Sequence, residues 1–473
     1  MKYTIKNILK NNSKKFKGKD YIFEKKDGKY QSHSYNEFCQ DVLKVASLLQ
    51  KTHTKDDRIV ICANNSYQYM VVDAAIMGYT CISVTVSKEW SCYDLTNTIK
   101  IIEPKTIIYS SDKEKDINEL KMQYPNINYI IIENIIPSEL EKLDESRIQL
   151  RDACKIVFSS GTTGLPKGVV LSQENIFDSF DNVLKRAPLD ETDVDYLFLP
   201  LNHTYGGIWN FLLSVYTGMK LYLCSDTKLM FQEIQEVKPT IFCAVPLIFE
   251  RLYEESIKNN LEPLMLLGGN VKYIFCGGAY HKPEIRKYLK EHGLNILEAY
   301  GLTETSSLVS LEYSNKTDYE SVGTILENSN VIIDNPNEDR IGEILVKGKN
   351  VFLKYYNNEY ETNKVKEKNG FFHTGDLGYI IDNNLYLKGR KKRVIIFPNG
   401  ENVYPENIEM LFDDDNINKV KVFDKNGIIF ATLYVKEKQD YKEYINSINK
   451  KLPKFSQIQD YEVLIDNIEV RFK

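Results

Sequence analysis

Apolar and polar positions follow two different periods along the first 150 residues. Phe38, Val42, Val45 and Leu49 recur at helical spacing and would form one face of a helix. The segment 34–37 reads Ser-Tyr-Asn-Glu, the pattern of a capping box, and predicts where that helix begins. A further helix is predicted over 67–77. Short apolar runs typical of buried strands separate such segments: 58–62, 81–86, 106–109 and 129–132.

The same alternation continues towards residue 280. Apolar runs at 196–201 and 273–279 predict further strands. Strands that alternate with helices indicate parallel sheets covered by helices. The predicted fold class is therefore α/β, with a large N-terminal domain of helix-covered, largely parallel sheets.

Composition narrows the classes of protein. The chain has 473 residues, of which 42% are hydrophobic and 27% charged, so we expect a folded protein with a large core and two or three domains. The net charge of −5 gives no general attraction to nucleic acid. The eight cysteines include no Cys-x-x-Cys pair, which argues against a zinc site or a disulfide scaffold.

The start of the chain and its apolar stretches bear on where the protein is located in the cell. The first six residues lack the apolar core of a signal peptide. The most apolar long stretch, 71–86, contains Asp73 and is too short to cross a bilayer. We therefore expect a cytoplasmic protein without stable membrane insertion.

A loop rich in small residues lies between the apolar runs 156–158 and 169–171. Small residues let backbone N–H groups approach an anion closely, hydroxyls add donors and Lys167 adds charge. The loop suits phosphate but is not a Walker A loop, because no Gly-Lys-Ser/Thr closes it. On composition alone, a solvated linker is the alternative. Its residues are Ser159, Ser160, Gly161, Thr162, Thr163, Gly164, Leu165, Pro166, Lys167 and Gly168.

This loop closely resembles the nucleotide loop of the adenylate-forming enzymes, which include acyl-CoA synthetases, luciferases and peptide-synthetase adenylation domains. Residues 298–305, Glu-Ala-Tyr-Gly-Leu-Thr-Glu-Thr, match a second family motif. The resemblance implies that Tyr300 stacks on adenine, Thr303 contacts phosphate and Glu304 binds Mg²⁺. Without it, Tyr300 would pass as a core aromatic and Glu304 as a surface acid.

The resemblance also implies an adenine seat and an acyl pocket. The run 273–279 ends in Gly277, Gly278 and Ala279, where a flat ring could approach the backbone, although a tight turn explains the glycines equally well. His203 stands where the family lines the acyl pocket. Residues 202–209 contain no acid to pair with a substrate ammonium, which disfavours amino acids.

Gly301 also enters the prediction of the substrate. The absence of a side chain at Gly301 is interpreted as space for acids larger than acetate.

The C-terminal part carries weaker matches. Residues 371–376, Phe-Phe-His-Thr-Gly-Asp, match the ribose motif, in which Asp376 would accept both hydroxyls. Arg390 would contact ribose or phosphate, and Lys392 would be the hinge. The basic run 388–393 could instead be a nucleic-acid patch, which the net acidic charge disfavours. Arg393 departs from the acid that the family often has after the hinge.

The end of the chain departs further from the family. Gly400 falls near the expected pantetheine tunnel. The usual Pro-x-Thr-x-x-Gly-Lys ending is missing, and Lys473 is the positional candidate for the adenylation lysine. The resemblance thus predicts an adenylate-forming domain over 1–389 and a small α+β lid over 390–473.

We therefore predict an acid–thiol ligase most like the fatty acyl-CoA synthetases. It would use ATP and Mg²⁺ to convert a small carboxylic acid, fatty or aryl, into acyl-AMP and would transfer the acyl group to CoA. Three alternatives stay open. The acceptor could be the phosphopantetheine of an acyl carrier protein, the chain could form only the adenylate, or it could be a non-catalytic nucleotide-binding relative.

Overall fold

The computed structural model describes residues 3–159, 166–313, 318–396, 402–425 and 427–465. The chain divides into two compact units. The first comprises Met1–Asn330 and Val346–Phe372, and the second comprises Val331–Leu345 and His373–Lys473. The domain boundary predicted after residue 389 stays a prediction.

Helices and strands alternate through most of the first unit, as the apolar pattern predicts. The α-helices are α1 Ile5–Lys15, α2 Tyr35–Gln50, α3 Tyr67–Ala75, α4 Cys92–Ile102, α5 Glu114–Gln123, α6 Gln173–Phe177, α7 Phe180–Arg186, α8 Leu213–Thr217, α9 Met230–Val237, α10 Pro246–Asn259, α11 Pro263–Leu266, α12 Pro283–Glu291, α13 Glu359–Val365, α14 Pro405–Glu409 and α15 Lys442–Asn449.

The strands are β1 Asp20–Lys26, β2 Lys29–Ser34, β3 Arg58–Cys62, β4 Ile82–Thr85, β5 Thr106–Tyr109, β6 Asn128–Ile131, β7 Ala153–Ser159, β8 Lys167–Ser172, β9 Val194–Leu197, β10 Lys220–Leu223, β11 Ile241–Ala244, β12 Tyr273–Gly277, β13 Ile296–Tyr300, β14 Ser310–Leu311, β15 Thr324–Ile325, β16 Ser329–Asp334, β17 Gly342–Gly348, β18 Lys354–Tyr355, β19 Phe372–Ile381, β20 Asn384–Arg390, β21 Ile395–Ile396, β22 Asn402–Val403, β23 Ile417–Lys425, β24 Ile428–Val435 and β25 Asp460–Ile465.

Two sheets organise the first unit. One has the order β18-β8-β7-β4-β3-β5-β6, in which β7, β4, β3, β5 and β6 run parallel. The other has the order β15-β14-β13-β12-β11-β9-β10-β1-β2 in this unit, and β10, β9, β11, β12 and β13 are parallel neighbours. The predicted α/β class is confirmed. Parallel strands end at one edge, so the residues that follow them gather there.

Helix α2 shows why the apolar period predicted this fold. Phe38, Val42 and Val45 are fully buried and Leu49 nearly so. Ser34 accepts from the Glu37 amide while the Glu37 side chain accepts from the Ser34 amide, and this capping box begins the helix at the predicted place.

Two predicted elements differ in extent from the observed ones. Helix α3 ends at Ala75 and continues as a π-helical turn, Ile76–Thr80, where a Cβ on Gly78 would lie 2.9 Å from Ile5 Cγ2. The strand predicted over 196–201 corresponds to β9, which begins two residues earlier and ends four residues earlier than predicted. Pro200 cannot donate to a strand ladder, so the pairing stops before it.

The second unit contains smaller sheets. Strands β16, β17, β19 and β20 lie side by side in that order, and β19 pairs with β20 as an antiparallel hairpin. Strands β23, β24 and β25 form a three-stranded sheet. Ile429, Leu433 and Ile448 form part of its buried core with α15. The predicted small α+β region is thus present. In the part of the chain that the structure describes, no helix has the length and apolar character needed to cross a membrane.

A buried carboxyl group lies in the sheet that contains β9, without a cationic partner among the described residues. Asp195 on β9 is fully buried, and Asn210 Nδ2 donates to its Oδ2 at 2.9 Å. Within the described structure, neither Asp195 Oδ1 nor Asn210 Oδ1 has a hydrogen-bond partner. Burial raises the pKa of Asp195 from 3.8 to about 7.

We therefore expect Asp195→Asn to stabilise the protein at pH 8 but not at pH 4. A raised folded-state pKa contributes stability that is complete below pH 3.8 and is lost as the pH rises to about 7. At ~1.4 kcal/mol per pH unit, the gain has an upper bound of ~4 kcal/mol. Urea unfolding at both pH values measures it.

Asp193 supplies the matched control for this test. Its carboxylate binds Lys272 Nζ and Thr240 Oγ1, both at 2.9 Å. Asp193→Asn should therefore destabilise the protein at pH 8. Equal destabilisation by Asp195→Asn would contradict the assignment, because it would show that the ionised Asp195 is also stabilised by a partner.

Candidate active site

The two ends of the predicted phosphate loop lie side by side. Strands β7 and β8 pair antiparallel, with Ser159 opposite Lys167. The predicted pair of strands is thus present. The loop residues Ser160, Gly161, Thr162, Thr163 and Gly164 lie outside the described residues.

Glu304 reaches the first end of this loop. It lies in a 3₁₀ turn, Thr303–Thr305, that two residues separate from the end of β13. Ser159 Oγ donates to Glu304 Oε1 at 3.4 Å, and Tyr355 OH donates to the same oxygen at 2.8 Å. Two motifs that are far apart in sequence, those of Ser159 and Glu304, therefore meet in space.

Tyr355 holds the Glu304 carboxylate as a hydrogen-bond donor. It lies on β18 and is buried. Burial, and next the negative charge of Glu304, raise the pKa of Tyr355 well above its usual range. The phenol therefore keeps its proton, and Glu304 keeps this hydrogen bond at physiological pH.

Lys167 lies at the second end of the loop and contacts the same tyrosine. Its Nζ is 5.0 Å from the centroid of the Tyr355 ring and forms an ion pair with Glu361 of α13. The cation and the Glu304 carboxylate thus meet at opposite parts of one aromatic side chain, the ring face and the hydroxyl. Anionic phosphate and a cation that binds it would both find partners here.

The predicted adenine seat lies at the ends of two parallel strands. Strands β12 and β13 are neighbours, with Gly277 opposite Ala299, so Gly278 and Tyr300 follow at the same edge. A Cβ on Gly277 would lie 2.8 Å from the Ala299 carbonyl oxygen. Gly278 has φ +85°, the left-handed region that favours glycine. The backbone alone thus accounts for both glycines.

Ala279 and Tyr300 differ in exposure. Ala279 is exposed beyond the end of β12, whereas Tyr300 is 7% exposed at the end of β13. The structure therefore brings the three residues of the Gly-Gly-Ala segment to the edge where Tyr300 lies.

Gly301 has a different explanation from the one that the sequence suggests. A Cβ on Gly301 would lie 2.1 Å from the Ser307 carbonyl oxygen and 2.5 Å from the Leu308 nitrogen. Backbone fills the direction of a side chain, so the interpretation of Gly301 as open pocket space is wrong. The size of the acid has to be argued from other residues.

His203 lies in the segment that follows β9, where its side chain contacts the backbone. Its Nδ1 accepts from the Tyr205 amide at 3.1 Å. The side chain is exposed, yet desolvation by surrounding protein lowers its pKa. The lowered pKa leaves the imidazole neutral at pH 7.

In the second unit, the two predicted ribose residues contact each other. Arg390 Nε lies 2.7 Å from Asp376 Oδ1, and the two residues are opposite each other on β19 and β20. Asp376 is 5% exposed, and its amide donates to Thr374 Oγ1 at 3.0 Å. The hairpin thus fixes the carboxylate in one orientation.

The predicted hinge lies in a 3₁₀ turn, Lys391–Arg393, where Lys392 is exposed. Arg393 binds Glu406 at 3.0 Å and Glu409 at 2.5 Å, both on α14. The arginine that replaces the expected acid is therefore matched by two acids. Gly400 and Lys473 lie outside the described residues.

A profile of the AMP-binding enzyme family matches residues 9–356. The chain belongs to the AMP-binding enzyme family. This confirms the family predicted from the loop and from the Glu304 motif.

Curated relatives of this AMP-binding enzyme carry related names. "Probable 4-coumarate--CoA ligase 1" of Dictyostelium discoideum is 28% identical over 424 residues, which cover 81% of this chain and 75% of the relative. "Long-chain-fatty-acid--CoA ligase FadD15" of Mycobacterium bovis is 25% identical over 416 residues, which cover 75% of this chain and 68% of that relative. Its relatives are thus named acid–CoA ligases, as predicted.

Solved structures share the fold of this AMP-binding enzyme. O-succinylbenzoate coenzyme A synthetase from Bacillus subtilis in complex with AMP has a TM-score of 0.83 at 22% identity, covering 97% of this chain and 94% of that one. ATP-bound MatB from Rhodopseudomonas palustris has a TM-score of 0.85 at 21% identity, and the match covers 98% of this chain and 95% of that one. Both likenesses support the predicted fold class.

A buried polar network supports the predicted adenine edge of this AMP-binding enzyme, and sequence analysis missed it. His281 Nδ1 lies 3.1 Å from Glu298 Oε2 and 3.3 Å from Cys276 Sγ. Arg286 Nη2 donates to Glu312 Oε2 at 2.7 Å, and its Nε lies 3.8 Å from Glu298. The guanidinium thus supplies positive charge beside Glu298, and the network ties α12 to the strands behind the predicted adenine seat.

Proposed function

We propose that this AMP-binding enzyme activates a carboxylic acid with ATP and transfers the acyl group to CoA. The single observation that carries the proposal is the convergence of Lys167 and Glu304 on Tyr355, with Ser159 donating to the same Glu304 oxygen. The site thus combines a hydroxyl, a cation and a fixed carboxylate around the ends of one loop. This combination suits a nucleoside triphosphate with its metal ion. The names of the relatives support CoA as the acceptor.

In the first half-reaction, a carboxylate oxygen attacks the α-phosphorus of ATP. A P–O bond forms, the bond to the β-phosphate breaks, and acyl-AMP and pyrophosphate result. Ser159 and Lys167 would bind the phosphate oxygens and stabilise the charge that grows on them. Thr303 would contact the phosphates from the turn that carries Glu304.

Glu304 fits a magnesium ligand, since its carboxylate is fixed by Tyr355 and Ser159 and offers hard oxygen donors. When bound, Mg²⁺ would neutralise charge on the phosphate oxygens. Tyr300 and the Gly277–Ala279 segment would hold adenine, while Asp376 and Arg390 would hold ribose. Each of these roles is a proposal that extends the family resemblance to individual residues.

In the second half-reaction, the thiol attacks the carbonyl carbon of acyl-AMP, the thioester C–S bond forms and AMP leaves. The neutral His203 would line the acyl pocket, which suits an uncharged fatty or aryl chain better than an ammonium group. The proposal also includes three residues of the second unit: Lys392 as the hinge, Gly400 on the thiol side and Lys473 as the adenylation lysine.

We expect Mg²⁺-dependent pyrophosphate release with fatty or benzoic acids, followed by thioester formation when CoA is added. Pyrophosphate release across a panel of carboxylic acids, with CoA, with holo acyl carrier protein or with neither, tests this. If a thioester forms only with holo acyl carrier protein, the acceptor is the carrier and not CoA. Faster release with amino acids would contradict the assignment of the acid, and no release with any acid would favour the non-catalytic alternative.

A further inference from the structure

The cation of the candidate site already has an anionic partner. Lys167 forms an ion pair with Glu361, and the two side chains are only 13% and 17% exposed. Partial burial reduces screening by water and salt, so this pair is stronger than a pair on the open surface. A phosphate that binds Lys167 therefore has to compete with a carboxylate.

The surroundings of both side chains allow the pair to open. Lys364 Nζ lies 3.7 Å from Glu361 Oε1, so Glu361 keeps a cation nearby when Lys167 moves. The Lys167 ammonium also lies over the Tyr355 ring, an attraction that does not depend on Glu361. The flexible four-carbon stem of lysine lets the charge swing between neighbouring anions.

We propose that Glu361 is a counter-anion for Lys167 that ATP and pyrophosphate displace, so that Glu361 sets the affinity for polyphosphate. The inference rests on the proposed function, in which Lys167 meets the phosphate chain. A polyphosphate carries several negative charges against the single charge of Glu361, so it wins the competition at sufficient concentration. After pyrophosphate forms, Glu361 competes for Lys167 again and lowers the affinity of the site for pyrophosphate.

The test compares two glutamates of the same helix. Glu361→Gln removes the competing charge and keeps the size of the side chain, while Glu359→Gln makes the same charge change at an exposed position of α13. Calorimetric titration of each protein with MgATP, pyrophosphate and AMP gives the affinities. We expect Glu361→Gln to bind ATP and pyrophosphate about 3- to 10-fold more tightly, as the loss of one competing ion pair implies.

AMP and the control variant make this result specific. AMP lacks the β- and γ-phosphates, so its affinity should not change, and Glu359→Gln should bind all three ligands like the parent. Equal affinities for Glu361→Gln and Glu359→Gln would overturn the inference. Weaker ATP binding by Glu361→Gln would also overturn it, since Glu361 would then orient Lys167 rather than compete for it.

Lys167→Ala separates this inference from the proposed function. If Lys167→Ala loses ATP affinity while Glu361→Gln binds like the parent, only the role of Glu361 is wrong. If Lys167→Ala binds ATP and pyrophosphate like the parent, Lys167 does not meet the phosphates, and both proposals for this cation fail.

Discussion

Glu304→Gln should lower acyl-adenylate formation by about 10²- to 10³-fold, the range seen when one preorganised charge-stabilising group is lost. Glutamine keeps the size of the side chain and an oxygen that can accept from Tyr355 and Ser159. It lacks the negative charge that attracts Mg²⁺. The Glu304 carbonyl, which accepts from the Phe352 amide at 2.8 Å, is unaffected, so the fold should survive.

Pyrophosphate release at increasing Mg²⁺ concentrations measures this effect. The variant should need more Mg²⁺ and should stay slow at saturation, while its circular dichroism and unfolding midpoint match those of the parent. Glu320→Gln, at an exposed position of the same unit, is the matched control and should leave the rate unchanged. A parent-like rate for Glu304→Gln would remove this residue from the site.

The elements with strong periodicity were predictable because local spacing and burial agree in them. The apolar positions of α2 are 4, 3 and 4 residues apart, and all are buried. The run 58–62 coincides with β3. The loop and the Glu304 motif were predictable for another reason, since their small residues and fixed spacing are unusual enough to identify a family. Their meeting in space then follows from the fold.

The rest of the site depends on contacts that no local pattern encodes. Nothing near Tyr355 in the sequence indicates its hydrogen bond to Glu304. Glu361 is one acid among 66 Asp and Glu, and only tertiary packing brings it to Lys167. Gly301 was misinterpreted for the same reason, because the approach of the Ser307 backbone is a tertiary contact.

The second large effect concerns Asp376. We expect Asp376→Asn to reduce kcat/KM for ATP by about 100-fold, because a carboxylate that accepts from both ribose hydroxyls makes two charge-assisted hydrogen bonds, each worth ~1.5–3 kcal/mol. The buried, fixed carboxylate beside Arg390 is positioned for this role in its own unit. Asparagine offers one oxygen without charge, so it can satisfy at most part of this pattern.

Deoxynucleotides separate that role from a loss of folding stability. The parent should use 2′-deoxy-ATP and 3′-deoxy-ATP at least about 10-fold less well than ATP, since each lacks one donor to the carboxylate. Asp376→Asn should lose most of this discrimination, because the variant lacks the carboxylate to which the missing hydroxyl would donate. Asp382→Asn, which changes the same charge in the turn between β19 and β20, should discriminate like the parent. If Asp376→Asn still discriminates like the parent, Asp376 acts only through its ion pair with Arg390, and the ribose hydroxyls are recognised elsewhere.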